Sequence, residues 1–254
     1  MYLMNLILKI KSNKMKIKKK NKIYQGKSKI IYSTNNSDVL ILKFKKDMSR
    51  LNGKYIKKFD NKDIINNKFN YYIMNKISSF NIKTHILSLL SDNQVIVKKL
   101  KMIPIEFVVR NYAYGSLLKR FLIKERSFIN PPILEFFFKN DGLKDPMINE
   151  YHCISFNLIS ENHIKKIKKI LYKINNILKD IFYKAELILV DFKLEFGLFN
   201  GDLFLGDEFS LDNSRVWDKN SFKKMDKDIF REQLNENVIE SYKEVANRIG
   251  CLID

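Results

Sequence analysis

The run Leu187-Ile-Leu-Val-Asp191-Phe-Lys193-Leu-Glu195-Phe196 restricts the possible folds more than any other part of the chain. Four apolar residues lead into strict alternation, which puts Asp191, Lys193 and Glu195 on one strand face and Phe192, Leu194 and Phe196 on the other. Asn200-Gly201 follows, a strong hairpin signal, and Asp202-Leu-Phe-Leu-Gly-Asp207-Glu208 returns beyond it. A strand with one solvated face explains the first run alone; the returning carboxylates make the hairpin a candidate cation site. Register decides whether the acids converge. A two-residue loop pairs Phe199 with Asp202 and sends Glu195 and Asp207 to opposite faces. A three-residue loop, Phe199-Asn200-Gly201, pairs Leu198 with Asp202, so that Asp207 faces Lys193 and lies diagonal to Glu195. The second register, or an otherwise bulged loop, is expected, with Glu195 and Asp207 sharing a hard cation such as Mg²⁺; Lys193 offsets part of their charge.

Around this hairpin, Lys22–Tyr32 and Val39–Phe44 read as strands and Asp63–Ser79 as a helix with Ile65, Phe69, Ile73 and Ile77 on one face. Gln94–Leu100 and Ile105–Tyr112 read as strands parted by a turn at Met102-Ile103-Pro104, the expected boundary between two lobes. Ser160 caps a helix to about Lys184, striped by Ile164, Ile167, Leu171, Ile174, Leu178 and Ile181. A last helix spans about Asp226–Ile249 and stops at Gly250. Strands come first and helices later without βαβ alternation, so the class is α+β.

The formal net charge of +19 invites a nucleic-acid reading, but residues 1–22 hold eight of the lysines and no acid. The remaining lysines are scattered among Asn, Ile and Phe, with no Arg-rich run or RNA-binding aromatic motif, so no nucleic-acid partner is expected. Two cysteines, Cys153 and Cys251, cannot form a disulfide framework and fit a reducing compartment. The apolar start is far shorter than the roughly 20 residues that span a bilayer, and its charges follow the apolar run instead of preceding it. A cytoplasmic protein without a membrane partner is expected.

Two further clusters suit anions. Gln25-Gly26-Lys27-Ser28-Lys29 lacks the earlier glycine and following helix of a P-loop, yet its lysines on alternate strand positions suit nucleotide phosphates. In Glu106-Phe-Val-Val-Arg110-Asn-Tyr-Ala-Tyr-Gly115-Ser116, Arg110 suits a carboxylate or phosphate, or else pairs structurally with Glu106 on its own face. Asp212-Asn-Ser214-Arg215 offers another anion grip. Paired acids among several cations suit an ATP-using enzyme acting on a phosphorylated, carboxylated substrate.

Five segments then carry a resemblance: YQGKSKIIYST (24–34), QVIVKKLKMIPIEFVVRNYAYGSLLKR (94–120), FFFKNDGLKDPMINE (136–150), ILVDFKLEFGL (188–198) and LGDEFSLDNSRVWDK (205–219). They closely resemble the short bacterial form of the SAICAR synthetase family, from about Lys22 to the C-terminus. The resemblance implies a two-lobed ATP-grasp-like fold, with a β-rich nucleotide lobe at 17–102 and a larger mixed lobe at 103–254. It implies a purine-biosynthesis ligase that uses ATP and Mg²⁺ to join L-aspartate to the carboxylate of carboxyaminoimidazole ribotide, acting as a homodimer. By motif, Lys27, Lys29, Lys98 and Met102 would bind ATP, and Glu195 and Asp207 the metal. Arg110, Ser116, Asp191 and Arg215 would bind the ribotide, and Lys193, Lys139 and Asp145 would serve aspartate and the reacting carboxylate. Tyr112, Tyr114, Gln25 and Ser28 depart from the usual pattern without removing a ligand. The alternatives are another ATP-grasp-like ligase, a small-molecule kinase, or a basic RNA-binding protein.

Residues 1–16 lie outside the resemblance, and Met15 falls about where the family's chains begin. Residues 1–14 are expected to be poorly ordered and to touch neither core nor cleft. A chain starting at Met15 should keep its activity and nearly its melting temperature; loss of either would make the extension part of the working protein.

Overall fold

The computed structural model describes residues 16–50, 53–232 and 237–253, so the expectation for residues 1–14 lies outside the described residues. Two antiparallel sheets dominate. The first joins β1 (Lys19–Gln25), β2 (Lys29–Thr34), β3 (Val39–Phe44), β7 (Gln94–Lys98) and β6 (Ile86–Ser91), in that order. The second runs β10 (Met147–Ile148), β9 (Phe128–Phe138), β8 (Lys101–Tyr112), β11 (Leu187–Phe199) and β12 (Asp202–Gly206), with β13 (Ser214–Asp218) beside the first half of β11. A small ribbon, β4 (Asp47–Arg50) with β5 (Tyr55–Lys58), stands apart from both.

Helix α1 (Lys62–Ser79) buries Ile65, Phe69, Ile73 and Ile77 under the first sheet. After the short helix α2 (Glu150–Ser155), helix α3 (Glu161–Lys184) lies on β11 through Ile164, Ile167, Leu171, Ile174 and Leu178, all buried, and Ile181, half-buried. Ser160 caps it by accepting from the His163 amide at 3.3 Å, and its acidic first turn and basic last turn complement the helix dipole. Phe107 packs edge-on against Phe136 and Phe196, at 5.1 and 5.5 Å between ring centres, within a core continuous with that under the first sheet.

Three local readings change. The expected strand Lys22–Tyr32 is a hairpin broken at Gly26–Ser28, where the Gly26 amide donates to the Lys29 carbonyl at 2.8 Å. A Cβ on Gly26 would lie 3.2 Å from the Tyr24 ring, so a small residue suits the bend. Met102, Ile103 and Pro104 sit inside β8 and not in a turn; the break falls at Lys99-Leu100, and Pro104 leaves its carbonyl free to accept from the Lys139 amide. The last helix is two pieces, α4 (Asp228–Arg231) and α5 (Val238–Arg248), with Asn237 capping the second through its side chain. Gly250 ends it at φ 83°, as expected.

The hairpin register also differs. Phe199 pairs with Asp202 and Glu195 with Gly206, the two-residue register. Asn200 and Gly201 both take positive φ, 50° and 81°, the geometry that matches strand twist and that Asn-Gly tolerates best.

Candidate active site

The two-residue register by itself would separate Glu195 from Asp207. They are reunited because β12 ends at Gly206 and Asp207 turns into the left-handed region, φ 52°, a conformation Asp tolerates better than most residues. Both carboxylates line one cavity of about 870 Å³ between the two sheets. Glu195, 1% exposed, accepts from Lys139 Nζ at 2.6 Å and Lys193 Nζ at 3.0 Å. Lys193 also donates to Glu106 at 2.6 Å. Lys29 bridges Asp207 at 2.7 Å and Glu208 at 3.0 Å, and Ser28 Oγ donates to Glu208 at 2.9 Å.

The charges hold one another in their ionised states. Burial alone would raise the Asp207 carboxyl, but Lys29, Lys193 and Lys139 outweigh it and keep the group well below the usual carboxylate range. Burial would likewise lower Lys29, yet Asp207 and Glu208 push it above its ordinary value. Lys193 is raised against burial by Glu195, Asp207 and Glu106. Lys139 and Lys193 therefore act on both acids.

The opposite wall is apolar, with Ile31, Leu40, Leu42, Val97, Leu100 and Met102 offering a slot for a flat base. Lys98 ends β7 at this wall, is 2% exposed, and has no carboxylate partner among the described residues; burial pulls its ammonium down to about 8. Lys27 reaches the cavity rim, where it meets Asp141 at 3.1 Å. Asp145 also lines the cavity, its carboxylate accepting from the Asn140 amide at 2.8 Å.

A second cavity of about 330 Å³ adjoins the first and shares Lys27, Ser28, Lys193 and Glu208 with it. Arg110, Asp191 and Arg215 line it. Asp191 Oδ2 accepts from Arg110 at 2.9 Å and from Arg215 at 2.8 Å, tying β8, β11 and β13 together. Arg110 also donates to Glu135 at 2.7 Å and to Ser116 Oγ at 3.0 Å. Its structural partners are thus Glu135 and Asp191, and not Glu106, which is drawn to Lys193. Arg215 completes its fork on Asp228 at 2.6 Å. A Cβ on Gly115, which has φ +62°, would lie 2.8 Å from Arg215 Nη2, so glycine is required there. Asp212, expected in an anion grip, is instead paired with the fully buried Lys62 at 2.5 Å and with Tyr242 at 3.0 Å.

Glu135, Lys62 and His85 were not expected at the site. An acid inside the apolar run Ile133-Leu134-Glu135-Phe136 was the available signal for the first; Lys62 carries none. His85 is buried against the cavity, and burial with Lys29 and Lys98 nearby drives its imidazole down to about 4, so the ring is neutral.

The SAICAR synthetase family model matches residues 22–249. A phosphoribosylaminoimidazole-succinocarboxamide synthase of Proteus mirabilis is 53% identical over 238 residues, which is 94% of this chain and 100% of the relative. The crystal structure of the synthase of that name from Ehrlichia chaffeensis superposes with TM-score 0.89 at 44% identity, covering 92% of this chain and 100% of that one. A SAICAR synthetase solved in complex with ADP gives TM-score 0.86 at 42% identity, covering 89% and 97%. With the family model spanning most of the sequence and relatives matched along nearly their whole length, the chain belongs to the SAICAR synthetase family.

Proposed function

We propose that this chain condenses L-aspartate with the carboxylate of carboxyaminoimidazole ribotide, using ATP and releasing ADP and phosphate. The observation that carries the reading is the pair of adjoining cavities, one with an apolar slot and the other lined by Arg110 and Arg215, meeting at Lys193. ATP fits the larger, with its base against Leu40, Val97 and Met102 and its phosphates toward Lys27, Lys29 and Lys98. The ribotide fits the smaller, held by Arg110, Ser116, Asp191 and Arg215. Lys193, Lys139 and Asp145 serve the reacting carboxylate and aspartate. The first sheet and the apolar slot form the nucleotide lobe, and the second sheet with its helices the substrate lobe. The reading includes a cytoplasmic homodimer; among the described residues no helix is long and apolar enough to cross a membrane.

The donor set suits Mg²⁺. Among the described residues no group of three or more His, Cys, Asp or Glu side chains is gathered to hold a metal unaided. Glu195 and Asp207 provide two hard oxygen ligands, and Mg²⁺ commonly takes one or two carboxylates and completes its shell with phosphates and water. Bound there, Mg²⁺ supplies charge neutralisation for the phosphates.

A carboxylate resists amine attack because it is anionic and has no good leaving group. In the first step its oxygen attacks the γ-phosphorus and the bond to ADP breaks, giving an acyl phosphate. In the second, the aspartate amine attacks the acyl carbon, phosphate leaves, and the nitrogen loses its proton to give the amide. Lys29 and Lys193, both held charged, face the transferring group as preorganised cations. No protein nucleophile is needed. Measuring ADP release with each of the three substrates omitted in turn tests the reaction; release that continues without ribotide or without aspartate would sink it.

Lys98 gives this reading a pH signature. Its ammonium is charged below about 8 and neutral above, so its attraction for phosphate is lost as pH rises through that value. In the wild type, kcat/KM for ATP, which reports the free enzyme, is expected to fall above about pH 8. Lys98→Met should lower kcat/KM about tenfold at pH 7 and abolish the fall. A wild-type profile that stays flat across this range would remove Lys98 from phosphate binding.

A further inference from the structure

We infer that Lys62 is a positioning residue for the second cavity: with Asn66 and Asn70 it latches the segment 208–213, one wall of that cavity, to helix α1. The inference rests on the reading of that cavity as the ribotide's.

The segment between β12 and β13 has neither helix nor strand to shape it. Yet its Glu208, Asp212 and Asn213, followed by Ser214 and Arg215, line the cavity. Phe209, Ser210 and Leu211 are fully buried. Asn213 staples the segment's own backbone: its Nδ2 donates to the Glu208 carbonyl at 2.7 Å, and its Oδ1 accepts from the Ser210 amide at 2.8 Å. The Asn213 carbonyl accepts from the Lys193 amide at 2.9 Å, which ties the far end to β11. These bonds fix the shape of the wall. Its depth is set from behind.

Helix α1 supplies that backing. Lys62, Asn66 and Asn70 recur every fourth residue, so they share one helix face, and all three are buried. Lys62 Nζ donates to Asp212 Oδ2 at 2.5 Å, and Asn66 Nδ2 donates to the same oxygen at 3.1 Å. Asn70 Oδ1 accepts from the Phe209 amide at 3.0 Å. From α5, the Tyr242 hydroxyl lies 3.0 Å from Asp212 Oδ1. Such a face is a poor way to fill a core. A buried ion pair stabilises a fold no better than apolar residues of the same volume, because desolvation offsets the attraction. What it does provide is direction. Apolar contacts tolerate sliding, whereas a buried ammonium on one carboxylate oxygen fixes where Asp212 stands, and with it Asn213 to Arg215. Without Lys62 the Asp212 charge would be buried and uncompensated, and the cavity it lines is its route to water. Its retreat there would shift the wall and set a carboxylate before an anionic substrate.

Calorimetry of ribotide binding and of ADP binding, measured separately, tests this on wild type, Lys62→Met, Asn70→Leu and Asn70→Asp. Neither Lys62 nor Asn70 lines either cavity, so any effect on ribotide passes through the wall. Methionine keeps the length of lysine without its charge. Leucine removes the acceptor for the Phe209 amide; aspartate keeps it and loses only an Nδ2 without a partner among the described residues. Lys62→Met and Asn70→Leu should each weaken ribotide binding by about tenfold or more, with ADP binding within about twofold of wild type. Asn70→Asp should bind ribotide within about threefold of wild type. Unchanged ribotide affinity in Lys62→Met overturns the inference, and so does an equal fall in both affinities, which would mark a general loosening of the fold. A wild type that binds ADP but no ribotide instead overturns the reading of the cavity, and the role of Lys62 with it. Should Lys62→Met fail to fold, the Asn70 variants decide: equal ribotide affinity in Asn70→Leu and Asn70→Asp overturns the latch.

Discussion

Glu195→Gln is expected to lower kcat by about 10²- to 10³-fold, equivalent to about 2.7–4 kcal/mol of transition-state stabilisation. The amide keeps the shape of the side chain and removes only its charge. Glu195 is 1% exposed and accepts from two ammonium groups, so its oxygens are held rigidly where the proposed cation would be bound. The fold should survive. Lys193 keeps Glu106 at 2.6 Å as a partner, and the Lys139 side chain, 46% exposed, can turn to solvent. The loss should accordingly appear in kcat and in the Mg²⁺ concentration needed for half-maximal rate, with a comparatively small fall in melting temperature. If kcat stays within threefold and the Mg²⁺ dependence is unaltered, Glu195 is a counter-ion for two lysines and no more.

What was legible in the sequence divides by mechanism. The strand Leu187–Phe199 and its Asn-Gly turn were legible because alternation and turn chemistry are local. So was the long helix behind Ser160, whose apolar stripe and cap both lie in the sequence. The register differs from the expected one because strand pairing does not bring the carboxylates together; the backbone of Asp207, one residue beyond the strand, does so. No pattern of residue types encodes that torsion. The break of the first hairpin at Gly26–Ser28 was hidden by lysines and isoleucines that continue a strand-like run on both sides. Arg110 illustrates the third limit. Its candidacy was legible from an arginine ending an apolar strand, but its partners come from β9 and β11, 25 and 81 residues away. Side-chain pairing across a sheet depends on neighbour order, which alternation does not specify. Family motifs recover such residues because the whole constellation travels with them.

That pairing alters what Arg110→Lys should do. From the sequence, the substitution is expected to weaken ribotide use strongly and stability much less. In the structure all three guanidinium nitrogens are engaged, by Glu135, Asp191 and Ser116, and the side chain is 4% exposed. A lysine ammonium is a compact point charge that cannot span Glu135 Oε2, Asp191 Oδ2 and Ser116 Oγ in the guanidinium's planar geometry. Glu135 retains Arg120, and Asp191 retains Arg215 at 2.8 Å, so neither carboxylate is left wholly unpaired. The stability loss should therefore approach, without exceeding, the 3–5 kcal/mol typical of breaking a buried ion pair, about 3 kcal/mol. Ribotide KM should rise alongside it, by about tenfold or more, because Asp191 and Arg215 lose the bracing that fixes them at the cavity wall. Thermal unfolding and ribotide kinetics below the lowered melting point read the two effects separately. A large fall in melting temperature with unchanged ribotide KM would make Arg110 a framework residue alone. A large rise in KM with unaltered stability would mean that the Glu135 and Asp191 pairs contribute little to the fold, and that Arg110 is held in the wall chiefly to meet the substrate.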